Sequence, residues 1–149
     1  MAVEKFSHQV SIPAPAIVVW KRLQEAETWA SLLGAEAIDS VSYRSDRMLA
    51  GFAWTIESGS RRLRGTARTM HAQVNDHMGL DFDAGAAAGA IMATFKQGKD
   101  ATDLSVELTM EARSVAAPVL YPIIREAMGP GLPQRLEALR DGVAAGPGG

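Results

Sequence analysis

The chain has 149 residues, no cysteine and a formal net charge of −2. The lack of cysteine excludes disulfides and thiolate metal sites, and the near-neutral charge disfavours a nucleic-acid partner, which usually needs a strong basic excess. No apolar run approaches the ~20 residues of a membrane span, so no integral membrane protein is expected. With no signal-type segment at the start, the sequence predicts a cytoplasmic protein, with one domain over residues 1–143 and a disordered tail over 144–149.

The first strand and two short helices follow from alternation and from prolines. Residues 4–12 alternate apolar and polar side chains, which predicts a half-buried strand. Pro13 ends this strand because proline cannot donate to the ladder, and Pro15 suits the first turn of a helix. Apolar residues then recur at helical spacing, and a second helix is predicted over residues 25–33, where Gly34 ends it.

Six further strands are predicted between residues 35 and 112. The odd separation of Ile38 and Val41 predicts a bulge in the first of them. The short links carry turn residues, and short links between successive strands indicate antiparallel pairing. The predicted strands cover residues 35–45, 48–58, 61–74, 77–83, 89–96 and 102–112.

The last segment, residues 115–143, shows helical periodicity interrupted by the sequence GPGLP at 129–133. Together the elements predict an α+β fold, in which one apolar face of a seven-stranded antiparallel sheet is covered by the C-terminal helix. Small inward residues, among them Gly65, Ala67 and Ala93, leave room for a cavity between the sheet and that helix.

The stretch SIPAPAIVVWKRLQEAETWASLLG at residues 11–34 resembles the first segment of the START-related, Bet v 1-like helix-grip superfamily. It is most similar to the bacterial polyketide cyclase/dehydrase and lipid-transport branch, and the order of elements extends the resemblance over residues 4–143. The resemblance implies an apolar cavity for a lipid, polyketide or related molecule. It implies no universal catalytic residues, and the break at 129–133 departs from the usual unbroken helix. No cofactor is predicted.

Inward parity on the strands and one stripe of the C-terminal helix identify the candidate ligand wall. Aromatic and aliphatic residues at such positions are typical both of an ordinary core and of a cavity lining. The predicted ligand-binding residues are Phe52, Trp54, Ile56, Ala67, Thr69, Leu80, Phe82, Phe95, Met110, Leu120, Ile124 and Met128.

Two histidines are the candidates for chemistry. His8 and His71 fall on the inward parity of their strands, where an imidazole could act as a general acid or base. A hydrogen-bonded histidine of the cavity wall is the simpler interpretation of both. The acids of the neighbouring strands point outward by parity, and Asp39 would point inward if the bulge exists. No metal site is predicted.

Other polar groups have interpretations that need no ligand. Arg62, Arg64 and Arg68 alternate on the outer strand face opposite acids, which favours cross-strand ion pairs over phosphate binding. Tyr121 and Arg125 lie on a flank of the C-terminal helix, either solvated or near a polar ligand head group.

Three functions therefore remain open. The preferred hypothesis is a carrier or sensor of a hydrophobic small molecule. The alternatives are an aromatic polyketide cyclase or dehydratase that uses an inward histidine, and a protein-interaction module that uses the outer face of the sheet. The oligomeric state cannot be read from the sequence.

Overall fold

The computed structural model describes residues 3–58, 61–113 and 117–145. The order of elements agrees with the sequence prediction, and the final helix includes the first two residues of the predicted tail; residues 146–149 lie outside the described ranges. In chain order the elements are β1 (Glu4–Ile12), α1 (Ala16–Arg22), α2 (Ala26–Leu33), β2 (Ala37–Tyr43), β3 (Leu49–Ser58), β4 (Arg61–Gln73), β5 (His77–Asp83), β6 (Ala87–Gln97), β7 (Thr102–Ala112), α3 (Ala117–Met128) and α4 (Leu132–Ala145).

The strands form one seven-stranded sheet in the order β1-β7-β6-β5-β4-β3-β2, and every neighbouring pair is antiparallel. Strands β2 to β7 are a meander, because each pairs with the next in the chain. β1 joins the last strand of the meander instead of the first. The predicted seven-stranded antiparallel architecture is confirmed.

Strand register separates an inner face, which packs against the helices, from an outer face. On the inner face Phe52 lies opposite Ala67, which lies opposite Phe82, and all three are buried. On the outer face the neighbouring positions carry Arg68 opposite Asp81, both of them exposed. This alternation is what hydrophobic burial on one face of a twisted sheet requires.

The corner between β1 and α1 is set by its two prolines and held by side chains from the β6–β7 hairpin. Pro15 is the N-cap residue of α1, with an extended backbone. The Ala16 amide donates to Gln97 Oε1 at 2.9 Å, and the buried Thr102 hydroxyl donates to the Ala14 carbonyl at 2.8 Å. These bonds satisfy backbone groups that the prolines leave outside regular structure.

α3 and α4 are separate helices, divided by Gly129–Pro130–Gly131 as the sequence break predicts. The Arg135 side chain, on the first turns of α4, fastens this junction. Its guanidinium donates to the carbonyl of Met128 at 2.7 Å, to that of Ala127, and to the Leu32 carbonyl of α2 at 3.3 Å. One cation therefore caps the C-terminal ends of α2 and α3 together, where the helix dipoles favour positive charge. Burial lowers the pKa of Arg135.

The two edges of the sheet differ. α4 packs against β1 and covers that edge. β2, at the other edge, is mostly exposed and loses its register with β3 between Asp39 and Ser42. Ser40 within this irregularity has a φ of 54°, in the left-handed region. The predicted bulge between Ile38 and Val41 is therefore confirmed.

Candidate functional site

The predicted ligand wall lies where the sequence places it. Phe52, Trp54 and Ile56 of β3 are buried on the inner face, and Ile124 and Met128 of α3 are buried against that face. The other predicted residues on the sheet share this face, and Leu120 is partly buried beside them. Their inward position is confirmed. Their contact with a ligand stays a prediction.

Side chains fill the space between the inner face and α3 more completely than the small residues suggested. A Cβ atom added to Gly65 would lie 2.2 Å from Cζ2 of Trp54, so the indole ring occupies the room that this glycine leaves. Trp54 and Phe82 meet edge to face, with ring centroids 6.4 Å apart. Three clefts in the described ranges, of about 1060, 410 and 380 Å³, have no α3 residue in their lining. The first of them does include four residues of the predicted wall, beside charged residues of the outer face: Phe52, Ala67, Phe82 and Met110. The predicted hollow between the inner face and α3 stays a prediction.

The indole nitrogen of Trp54 is buried and lacks a hydrogen-bond partner. Trp54 is fully buried, and among the described residues its Nε1 is the one buried side-chain nitrogen or oxygen that has no hydrogen-bond partner. Two other buried donors are bonded: Trp29 Nε1 donates to the Leu23 carbonyl at 2.7 Å, and the Thr102 hydroxyl donates to the Ala14 carbonyl at 2.8 Å. A buried donor with no acceptor is uncommon and costly.

In the described ranges, the side-chain hydrogen bonds between α3 and the sheet converge on Glu4. Glu4, on the inner face of β1, accepts hydrogen bonds from the Tyr121 hydroxyl at 2.9 Å and from the Arg125 guanidinium. Arg125 also lies 5.4 Å from the centre of the Phe6 ring. The hydrogen bond from Arg125 lowers the pKa of Glu4, whereas burial and the bond to Glu4 raise the pKa of Tyr121 to about 12. Tyr121 and Arg125 both bind Glu4 and both remain partly exposed, so a solvated flank is compatible with the structure and contact with a polar head group stays a prediction.

His8 is the candidate acid–base residue that keeps its predicted side. It lies opposite Val106 on the inner face, and its Nε2 is 3.0 Å from Oε2 of Glu137 on α4. Both side chains remain partly exposed, by 30% and 45%. A carboxylate that orients an imidazole is the usual support for general acid–base chemistry, and the sequence analysis did not identify Glu137 as that partner.

The inward positions predicted for His71 and Asp39 are wrong. A register shift between Thr69 and His71 inserts one extra residue in β4, so His71 lies opposite Gly79 and is exposed on the outer face. Asp39 also lies on the outer face, where it accepts two hydrogen bonds from Arg64, at 2.7 and 2.8 Å. These bonds lower the pKa of Asp39 to about 2.

The outer face carries a cleft and two of the predicted ion pairs. Arg62 pairs with Glu57 at 2.8 Å, and Arg64 pairs with Asp39, which confirms the cross-strand interpretation for these two arginines. The cleft of about 1060 Å³ has a floor of small residues, including Ala53 and Ala88, below charged side chains of both signs. This mixed charge does not select one class of ligand.

Three polar residues that organise the site were missed by the sequence analysis: Glu4, Arg135 and Glu137. Glu4 has the same parity as Phe6 and His8, so the alternation of β1 could have placed it on the inner face. Arg135 gave no such signal because its partners are backbone carbonyls, which no side-chain pattern identifies. Glu137 gave none because its partner, His8, is 129 residues away in the chain.

No helix in the described ranges is both long and apolar enough to cross a bilayer.

Comparison with known proteins places this chain in a family. A sequence model described as polyketide cyclase / dehydrase and lipid transport matches residues 3–144. No curated protein sequence matches the chain at a significant level.

Solved structures share the fold at low sequence identity. TTHA0849 from Thermus thermophilus is similar with a TM-score of 0.71 and 17% identity, covering 97% of this chain and 99% of that one. A START superfamily protein from Mycobacterium smegmatis has a TM-score of 0.69 and 15% identity, covering 95% and 97%. A Thalictrum norcoclaurine synthase has a TM-score of 0.62 and 13% identity, covering 97% and 93%. At these identities the similarity establishes the helix-grip fold alone.

Proposed function

Because the chain belongs to the polyketide cyclase/dehydrase and lipid transport family, we propose that it binds a hydrophobic small molecule, such as a lipid or polyketide, between the inner face and α3. It would act as a carrier or sensor. The observation that carries this proposal is the continuous apolar wall, from Phe52 and Trp54 on β3 to Met110 on β7, facing a helix that is separate from the rest of the C-terminal segment. Burial of apolar ligand surface would supply most of the affinity.

A ligand at this wall requires α3 to move, since Ile124 and Met128 now occupy the space. The break at residues 129–131 is the natural hinge for this motion. Gly129 and Gly131 flank Pro130, and glycine allows backbone rotations that other residues resist. The polar attachment of α3 through Glu4 is partly exposed, with 31% of that side chain open to solvent, so water can replace its hydrogen bonds when the helix swings away.

The test uses the neutral fluorophore N-phenyl-1-naphthylamine, whose emission rises when it enters an apolar site. Stopped-flow mixing gives its uptake rate. Gly131→Ala should slow uptake, because the added methyl group restricts the hinge. Its Cβ would lie 2.8 Å from Nη2 of Arg135, so the urea midpoint of this variant is measured as well, to separate a displaced Arg135 cap from a stiffer hinge. Gly142→Ala, on exposed α4 surface with no atom closer than 3.9 Å to the added Cβ, is the matched control and should leave the rate unchanged.

Two results would count against this proposal. No uptake by the wild-type protein, together with no hydrophobic molecule in native mass spectra of the purified protein, would contradict ligand binding. Equal uptake rates in Gly131→Ala and wild type would contradict the hinge alone. Gly129→Ala is a poorer test, because its added Cβ would lie 2.4 Å from the Phe6 ring and disturb packing directly.

The second candidate function is a cyclase or dehydratase, and the contact between His8 and Glu137 favours it. If Glu137 accepts the Nε2 proton, Nδ1 of His8 is left as the basic nitrogen, able to remove a proton from an acidic carbon. His8→Ala should then abolish cyclisation of a poly-β-ketone thioester while His71→Ala, on the outer face, leaves it intact. Full turnover in His8→Ala would eliminate this candidate.

A further inference from the structure

The polar groups of the interior constrain what the ligand must be. We infer that the ligand carries a neutral oxygen acceptor, as in a ketone, ester or ether, and that this oxygen accepts a hydrogen bond from Nε1 of Trp54. The inference rests on the proposed function and names the chemical class of its ligand. Its basis is that, in the part of the chain that is described, Trp54 Nε1 is the sole buried side-chain donor without an acceptor.

The ligand must supply an acceptor because an indole nitrogen has only a proton to offer. The interior otherwise satisfies its polar side chains from nearby carbonyls, as Trp29 does with Leu23 and Thr102 does with Ala14. Trp54 has the same burial, with 0% of its surface exposed. A buried N–H without an acceptor carries a desolvation cost. A ligand oxygen that accepts its hydrogen bond removes this cost, whereas a hydrocarbon ligand does not.

The acceptor should be neutral because the charged groups beside the inner face are already engaged with one another. Arg125 is bound to Glu4, and the partner found for His8 is Glu137. Arg135, the remaining cation at the helix junction, donates to three backbone carbonyls. A carboxylate placed at the apolar wall would therefore lose its hydration without gaining a countercharge, which is costly.

The donor is also held in place before any ligand arrives. The indole ring lies over Gly65, whose position would put a Cβ atom 2.5 Å from Cε2, the ring carbon bonded to Nε1. Phe82 packs its ring at 61° to the indole. A donor that is fixed by a neighbouring backbone and an aromatic ring loses little entropy on binding, which favours orientation of the ligand by this one bond.

The test compares three probes of nearly equal size: 2-acetylnaphthalene, 2-ethylnaphthalene and 2-naphthoate. The wild-type protein should bind the ketone about tenfold more tightly than the hydrocarbon and more tightly than the carboxylate. Trp54→Phe should reduce the ketone's affinity to that of the hydrocarbon and leave the hydrocarbon's affinity nearly unchanged. Trp20→Phe, which alters another interior indole, is the matched control and should preserve the tenfold preference.

A second measurement needs no variant for its readout. In protein labelled with ¹⁵N-tryptophan, the ketone should shift the Trp54 indole proton downfield, and 2-ethylnaphthalene should not. This decides the matter even if Trp54→Phe fails to fold.

The outcomes separate the two proposals. If the ketone and the hydrocarbon bind equally, or if the ketone leaves the Trp54 signal unmoved, the acceptor inference is overturned while ligand binding stands. If none of the three probes binds although N-phenyl-1-naphthylamine is taken up, the acceptor inference is overturned and ligand binding stands. If N-phenyl-1-naphthylamine is not taken up either and native mass spectra show no bound molecule, both the proposed function and this inference fail.

Discussion

α3 and α4 cover parts of the same sheet but are fastened in different ways. α4 packs along β1, buries Leu132, Leu136 and Val143, and fixes the ends of α2 and α3 through Arg135. α3 buries Ile124 and Met128, contains Pro122, and has its polar attachment at Glu4 near the edge of the sheet. Near α2, the indole nitrogen of Trp29 donates a hydrogen bond to a carbonyl. On the wall that faces α3, the indole nitrogen of Trp54 has no hydrogen-bond partner.

If the proposed function is correct, this difference teaches that stability and ligand entry are divided between the two helices. The α4 side is a conventional core in which each polar group that was described above has a partner. The α3 side holds the unpaired indole donor of Trp54 and adjoins the glycine break that we propose as a hinge. Sites that must open are drawn from the less stable part of a protein, and the following variants measure the difference directly.

The largest effect is expected at the junction. Arg135→Met keeps most of the aliphatic side chain but removes the cation from three carbonyls, so we expect a loss of about 3 kcal/mol in the free energy of unfolding. Arg140→Met on the same helix removes only a surface contact with Asp141, at 2.9 Å, and should cost less than about 1 kcal/mol. Urea denaturation of both variants checks this. Equal losses would show that the Arg135 cap does not join the helices.

The next effect compares the two tryptophans. Trp29→Phe and Trp54→Phe each shrink a fully buried ring, but only the first deprives a carbonyl, that of Leu23, of its donor. Trp29→Phe should therefore destabilise the ligand-free protein by about 1–3 kcal/mol more than Trp54→Phe does. Thermal and urea unfolding give the difference. A larger loss for Trp54→Phe would mean that its N–H is satisfied in solution.

The smallest effect is expected from the attachment of α3 and depends on pH. The pKa of Glu4 is lowered in the folded protein, so its stabilisation is present above the unfolded value of about 4.3 and is lost as the pH falls through the lowered folded value. The protection of α3 amides from exchange, relative to that of α4 amides, should therefore fall as the pH is lowered below the unfolded value. Glu4→Gln should reduce the protection of α3 already at neutral pH. Glu57→Gln, which breaks an ion pair on the outer face, should not, and a protection of α3 that changes neither with pH nor in Glu4→Gln would refute the attachment.

The fold could be predicted because its signals are local. Alternation at β5 and β7 gave strand limits that agree with the structure, His77–Asp83 and Thr102–Ala112. Pro13 and Gly34 marked where a strand and a helix end, and Gly34 has the left-handed φ of 80° typical of that role. Short links then left an antiparallel meander as the natural topology.

The site was less predictable because it depends on register and on distant partners. Residues 69–71 contain no glycine or proline to mark the extra residue in β4, yet that one residue moves His71 to the outer face. Glu137 meets His8 only after the whole chain has folded. The Trp54 indole fills the space above Gly65 because of its side-chain rotamer, and residue spacing in the sequence does not reveal a rotamer.

The irregular edge strand has a consequence for behaviour at high concentration. An unpaired strand is a template on which a neighbouring molecule can add its own strand, and this is a common route to aggregation. In β2 the left-handed Ser40 and the lost register beside it twist the backbone away from the flat geometry that such addition needs. Because natural proteins use such breaks to make an edge strand a poor template, we expect β2 to resist the addition of a strand from a second molecule.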